Sequence, residues 1–364
     1  MQNHSNKAPK ITPSKVYIKR LQDWSLDQKI SEAVLSAWQY LKPIVDFKDK
    51  NSFTAIKLTF GEEGASGYIK PAWLTDILNS LRETTENLFI AETNTLYREK
   101  RSNAIGHLHV ASSHGYSFDK VGIPVIIADG LRGRDYQNIP IRGDHFENVK
   151  IARGICESDN VICISHVTGH MQSGFAGSLK NLGIGCASRQ GKLLQHSGTL
   201  PEIIVEKCIG CSACMSICPA NAIGIKKKKA ILVKERCIGC GECTVACRAG
   251  AIDIKYDENV VKFQEKMVEY ALGVKKALNS RIVYLNFLKH ITKNCDCMSK
   301  DETLIAPDIG ILCGADPVAV DKASMDLVGI EKFKEIFPEI DPLAQIRHAE
   351  KIKLGVSQYE LMEI

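Results

Sequence analysis

Eight of the 14 cysteines in this 364-residue chain fall between Cys208 and Cys247, in two copies of one pattern. The first copy runs Cys208, Cys211, Cys214 and Cys218, followed by Pro219; the second runs Cys237, Cys240, Cys243 and Cys247. Residues 207–225 and 236–254 align without gaps at an offset of 29, with ten identities in nineteen positions, which reads as internal duplication. Three cysteines separated by two residues each can wrap three irons of one cube, while the fourth starts a short helix and reaches a second cube. The spacing therefore predicts one [4Fe–4S] cluster on Cys208, Cys211, Cys214 and Cys247, and another on Cys237, Cys240, Cys243 and Cys218. Gly210 and Gly239 let the backbone curl close to sulfide and aim its N–H groups at the cluster. Zinc is the structural rival for paired cysteines, but a tetrahedral zinc site does not require this four-cysteine pattern twice.

A second cysteine signal stands apart. Cys295 and Cys297 flank Asp296, so in an extended segment both thiolates face one way. They could share an additional metal, form a redox pair or sit inert. Seven of the ten histidines lie between His107 and His196, with Cys156, Cys163 and Cys186 among them, a density that suits metal ligation or proton handling. His166 and His170 are the candidate catalytic pair; their spacing is helical, yet Gly169 and the apolar run before them argue for a loop. His107 and His109, in a helical pattern starting near Asn103, are expected to be structural.

Between Gly174 and Lys192, five glycines interleave with Lys180, Arg189 and Lys192. Open backbone with basic side chains suits a phosphate or carboxylate. Lys180 becomes a third catalytic candidate, and Asn181, Arg189 and Lys192 become candidates for binding a small anionic ligand. A tight structural loop explains the same stretch. Neither the Walker pattern nor the dinucleotide fingerprint is met.

The elements that must position these groups are short β-rich runs alternating with helical patterns. Strands are expected at Val16–Ile18, Ala55–Phe60, Leu88–Ala91, Pro124–Ala128, Val161–Ser165, Ile282–Leu285 and Ile309–Cys313. Helices are expected with inward faces at Ile30, Val34 and Trp38, from Pro71 through Leu81, over Asn259–Leu278, and after the Asp316-Pro317 and Asp341-Pro342 starts. The rhythm implies an α/β fold with a mostly parallel sheet. Ligands in such sheets bind outside the carboxyl ends of strands, where Lys57, Glu62, Glu92, Asn94, Tyr97, Arg101 and Asp129 are expected. The simplest organisation is a flexible tail over 1–14 and a discontinuous α/β domain over 15–200 and 257–364, with a small α+β module inserted at 201–256. Lys226–Lys229 would form the solvated tip of a hairpin between the two copies, or a docking patch for an acidic electron carrier.

Residues 206–255 resemble the bacterial two-cluster ferredoxins, with Arg248 standing where the first copy has Pro219. Further stretches, from Gly169 through Lys192, Asn294 through Cys297 and Pro307 through Asp321, extend the resemblance. Together they resemble iron–sulfur-centre proteins of the domain of unknown function 362 family, which carry an inserted ferredoxin pair and occur mostly in anaerobes. The resemblance implies two [4Fe–4S] clusters and an inserted module, and implies no particular reaction. Glu92 stands where those proteins usually have aspartate.

Three functions follow. One is a reductase-type enzyme passing electrons from the clusters to a small anion or metal site in the α/β domain. Another is an electron-transfer protein serving a partner, such as ferredoxin or flavodoxin, without a substrate of its own. The third is a non-redox, metal-dependent or ligand-binding protein with structural clusters. The net charge of +5 suggests a basic protein, but residues 201–256 hold nine Lys and Arg against five Asp and Glu. Two dianionic clusters would offset that excess. No nucleic-acid groove, membrane segment or secretory signal stands out, so a cytoplasmic protein is expected. Oligomeric state is not readable.

Overall fold

A computed structural model describes residues 12–45, 50–96, 99–196, 200–254, 259–297 and 303–364. Tyr97 and most of the tail lie outside the described residues. The strands are β1 (Ser14–Lys19), β2 (Thr54–Lys57), β3 (Leu88–Glu92), β4 (Val125–Ile127), β5 (Asn160–His166), β6 (Ile282–Leu288), β7 (Gly310–Gly314) and β8 (Tyr359–Glu363). They form one eight-stranded sheet in the order β8-β1-β7-β6-β5-β2-β3-β4. From β6 to β4 all neighbours run parallel; β7 is antiparallel to both β6 and β1, and β8 is parallel to β1. The mostly parallel α/β sheet expected from the sequence is therefore present.

The central strands are apolar on both sides because helices cover both faces. Along β5, Val161 and Cys163 enter one core while Ile162 and Ile164 enter the other, as the two-residue period of a strand requires. The first core is closed by helices Val260–Ala277, Pro317–Val328 and Ala344–Lys351. The second is closed by helices Asp27–Leu41 and Thr75–Arg82, with Ile30, Val34, Trp38, Ile77 and Leu81 inward. Caps start these helices where the sequence places them. Asn259 accepts from Lys262 N–H at 3.0 Å, and Asp316 accepts from Val318 N–H at 2.9 Å. Asp341 instead holds the turn before its helix, accepting from Leu343 N–H at 3.0 Å.

The glycine-rich stretch differs from the loop expected of it. It contains two short helices, Ser178–Gly183 and Arg189–His196. Its glycines serve close packing: a Cβ on Gly183 would collide with the Met267 carbonyl, and one on Gly191 would press on the Lys150 carbonyl and the Tyr270 ring. The thiols of Cys156, Cys186 and Cys313 are pushed up to about 12 by burial, and Cys163 higher still, so these four are neutral core groups.

Strands on both sides of residues 202–253 share the large sheet, whereas the strands inside that segment pair only with each other. Glu202–Ile203 pairs with Ile252–Asp253, and Ile223–Lys226 forms a hairpin with Lys229–Leu232. Two short helices, Ala213–Ile217 and Glu242–Ala246, lie 29 residues apart, repeating the sequence offset. Among the described residues, no helix is long and apolar enough to cross a membrane.

Candidate active-site pocket and cysteine cavities

The chain leaves β2 towards β3 on one side and leaves β5 towards β6 on the other, so a switch point opens between β2 and β5. A cavity of about 110 Å³ lies there, lined among others by Lys57 at the end of β2 and Thr59 just after it, Glu92 at the end of β3, and Ser165 and His166 at the end of β5. Arg101, His170, Lys180, Asn181, Lys192, Cys295, Asp296 and Cys297 complete its polar wall.

Charge is dense here and shielded from water. Lys57 Nζ sits 2.9 Å from the Glu92 carboxylate, both side chains buried, and donates to Asn181 Oδ1 at 2.7 Å. Burial alone would lower the Lys57 pKa, but the facing Glu92 charge raises it above its ordinary value. Burial likewise pushes Glu92 up, and Lys57, Lys192 and Arg101 hold it below the usual carboxylate range. Arg101 is fixed by Glu62 at 2.9 Å. Lys192 spends its donors on Thr93 Oγ1, Asn94 O and Thr93 O at 2.6, 2.6 and 3.3 Å. Burial brings both Lys180 and Lys192 down to about 8. Four cations face a smaller number of anions, so the pocket's free polarity suits a small anion.

His166 lines this pocket with both ring nitrogens engaged. Nδ1 meets Asp296 Oδ1 at 2.8 Å, and Nε2 meets the Lys289 and His290 carbonyls at 2.7 and 3.1 Å. Burial works to lower its pKa, but Asp296 and the two carbonyls outweigh that and raise it, which favours a doubly donating imidazolium. Its geometry is that of a clamp on the loop after β6, and no ring nitrogen is left for a reacting group.

His170 stands on the short strand Thr168–His170, which pairs with Gly174–Ala176 instead of continuing as a helix. Its Nδ1 is ringed by the Ser173 hydroxyl at 2.9 Å and the Ser173 and Gln172 N–H groups at 3.2 and 3.3 Å. Burial holds this ring neutral, well below its ordinary pKa. Cys295 and Cys297 are joined as a disulfide, and the ligating atoms of His170, Cys295 and Cys297 all lie within 4.8 Å of one another, a candidate metal-binding group. Lys180 Nζ is 3.9 Å from the Cys297 sulfur.

Arg189, a candidate for binding an anion, does other work, and His107 is a buried core group. Arg189 does not line the pocket; its guanidinium donates to Glu242 at 3.0 Å and to the Thr95 carbonyl at 3.2 Å. His107 is buried in helix Ala104–Ser113 against Phe60, its ring held neutral by burial. Sequence reasoning missed Glu242 as an anchor, although its signal is visible: it is the charged residue at the position where the first copy has Ala213. Asp296, which the sequence shows only as the residue between two cysteines, is the partner of His166.

The eight repeated cysteines divide between two further cavities. One is lined by Cys208, Cys211, Cys214 and Cys247, the other by Cys218, Cys237, Cys240 and Cys243. Backbone N–H groups aim at their sulfurs: Ala230 at Cys208, Ala222 at Cys218 and Ala251 at Cys247, at 3.3, 3.2 and 3.2 Å. Gly210 and Gly239 take positive φ of 70° and 63° at matching places in the two copies. A Cβ on Gly210 would strike the Lys228 carbonyl, so only glycine lets the loop close there. The second cavity abuts the strand-end pocket: Gly241 lines the former, Leu96 lines the latter, and a Cβ on Gly241 would lie 3.3 Å from Leu96 Cδ1.

The family model for a domain of unknown function (DUF362) matches residues 54–326. No curated protein matches the chain. Its fold is similar to the lactate racemase apoprotein from Thermoanaerobacterium thermosaccharolyticum, with TM-score 0.45 and 12% identity over 84% of this chain and 57% of that one. A protein from Thermotoga maritima is similar with TM-score 0.40 and 10% identity over 86% of this chain and 59% of that one. The chain thus spans less than two thirds of either structure's length.

Proposed function

We propose that this chain, which belongs to the DUF362 family, is an iron–sulfur reductase acting on a small anionic substrate held at the strand-end pocket. Two [4Fe–4S] clusters, when bound, would supply one-electron transfer. The residues present fit that cofactor. Each cavity offers four cysteine sulfurs, Cys208, Cys211, Cys214 and Cys247 in one and Cys218, Cys237, Cys240 and Cys243 in the other, and main-chain N–H donors already point at three of them. Such donors favour the thiolate form, and Cys208 is held below its ordinary pKa chiefly by the Ala230 and Gly210 N–H groups.

The observation that carries the reading is the nearness of Gly241, which lines the second cysteine cavity, to Leu96, which lines the pocket: a Cβ on that glycine would lie 3.3 Å from Leu96 Cδ1. Around the pocket, Lys57, Lys180 and Arg101 would orient the anion, Asn181 and Glu92 hold Lys57 in place, and Lys192 fixes the Thr93–Asn94 backbone. The first cavity reaches solvent at Cys211 and Ile209. Cys211, Ile209, Val205 and Met215 are exposed beside it, which suits docking of a donor such as ferredoxin or flavodoxin.

Anaerobic purification with iron and sulfide analysis tests the reading. About eight irons and eight sulfides per chain are expected, falling by half in Cys211→Ser. Zinc bound by four sulfurs at these cysteines, with no iron, would overturn it.

A further inference from the structure

We infer that His170, Cys295 and Cys297 form a mononuclear site for a soft divalent cation of the zinc class, open towards the pocket. The inference goes beyond the cluster reading and does not depend on it, since none of the eight repeated cysteines takes part.

Three soft or borderline donors converge within 4.8 Å on the wall of a cavity, with His170 and Cys295 buried and Cys297 partly so. The hydroxyl behind the histidine can serve ligation. Ser173 Oγ lies 2.9 Å from Nδ1 and gives its own proton to the Phe175 carbonyl at 2.7 Å, so it can accept from Nδ1–H once the Gln172 and Ser173 N–H groups, at 3.3 and 3.2 Å, turn aside. A ring that donates Nδ1–H to an oxygen keeps the Nε2 lone pair for a metal, the arrangement that orients a metal-binding imidazole. Gln345 in turn donates to the Ser173 and Phe175 carbonyls, which anchors the turn carrying Ser173.

Two thiolates and one imidazole are the donors of zinc, not of magnesium or calcium. Three protein ligands leave a fourth position, as in catalytic zinc sites. That position would face the space shared with Lys57, Lys180 and Arg101, where an oxyanion or carboxylate could bridge metal and ammonium.

The sulfurs are joined as a disulfide in the structure, so metal entry requires reduction. With a phosphine reductant, the S–S bond breaks, the phosphine takes an oxygen from water to become its oxide, and two thiols form. Both thiol protons then pass to solvent as the metal binds.

The test is zinc uptake by the full chain after phosphine reduction under anaerobic conditions, followed by dialysis against a weak chelator. The wild type should retain one zinc per chain more than the paired Cys295→Ser and Cys297→Ser variant, and the difference between their X-ray absorption spectra should show two sulfurs at about 2.3 Å and one nitrogen at about 2.0–2.1 Å. The paired Cys295→Ser and Cys297→Ser variant should lose this zinc, and Ser173→Ala should bind it about 10–100-fold more weakly. Circular dichroism confirms that each variant is folded. Absence of retained zinc in the wild type, equal zinc in the paired variant, or an all-sulfur difference between the two spectra would overturn the site. Iron content is read separately, so loss of the cluster reading and loss of this one give different results.

Discussion

Leu96 stands so close to Gly241 that a Cβ on the glycine would lie 3.3 Å from Leu96 Cδ1, and the two residues line the strand-end pocket and the second cysteine cavity respectively. The glycine holds φ at +71°, a conformation that also starts the helix Glu242–Ala246 and so places Cys243 and Cys247. Around this contact Leu193 and Ile254 complete a small apolar cluster with Leu96. Local backbone geometry, cysteine placement and pocket shape therefore depend on one another here.

Truncating Leu96 tests this arrangement. Leu96→Ala should lower stability by about 2–4 kcal/mol in urea unfolding, the usual range for an unfilled buried leucine site. Iron content should stay at the wild-type level, because no cysteine moves to another partner.

Arg189 should prove to be a joint between the cysteine segment and the sheet. Its buried pair with Glu242 is reinforced by Arg134 and Arg132, 3.3 and 3.7 Å from the other carboxylate oxygen. Arg189→Met leaves Glu242 with only the two more exposed arginines and should cost about 3 kcal/mol. In a double-mutant cycle, adding Glu242→Gln should restore part of that loss; strictly additive losses would mean the pair is not coupled.

Glu92→Gln strands the Lys57 ammonium in a buried site, and a loss of about 3–5 kcal/mol is expected. Denaturation at neutral pH measures it. Replacing both with hydrophobic residues should be far milder, since no unpaired charge then remains inside.

Asp129 gives the fold a pH signature. Burial raises its carboxyl to about 6, against an ordinary 3.8. Oδ1 accepts from the Asn94 main-chain and side-chain N–H groups at 2.9 and 2.8 Å, while Oδ2 has no hydrogen-bond partner. Between those two values the folded chain keeps a proton that the unfolded chain has lost, so stability falls as pH rises through the window. The share from this group amounts to about 3 kcal/mol. Wild type should therefore lose stability relative to Asp129→Asn from pH 4 to pH 6.5, read from urea midpoints; parallel curves would contradict this.

How far the sequence reveals the molecule depends on the range of each interaction. The cysteine repeat is legible because its determinants are local, and the paired helices at 213–217 and 242–246 follow its offset. The sheet is legible because both-sided burial writes apolar runs into the strands. The polar site is legible only in outline. His166 was visible at a strand end, but its partner Asp296 is 130 residues away, and that contact turns a catalytic candidate into a clamp. Arg189 belonged by composition to an anion-binding loop; its carboxylate lies 53 residues on, in the cysteine segment. Composition leaves the glycines nearby open between an anion cradle and a tight loop, because Met267 and Lys150, the backbones they press against, are remote in sequence.

The most direct measurement of the proposed cluster arrangement is the electron paramagnetic resonance spectrum of the anaerobic, dithionite-reduced chain, with single variants of the repeated cysteines. Crossed ligation predicts two reduced-cluster signals in the wild type, broadened by their mutual coupling. Cys247→Ser should then match Cys211→Ser, and Cys218→Ser should match Cys240→Ser, each exchanging partners across the two copies. A wild type without iron signals, or a Cys218→Ser spectrum that matches Cys211→Ser, would contradict it.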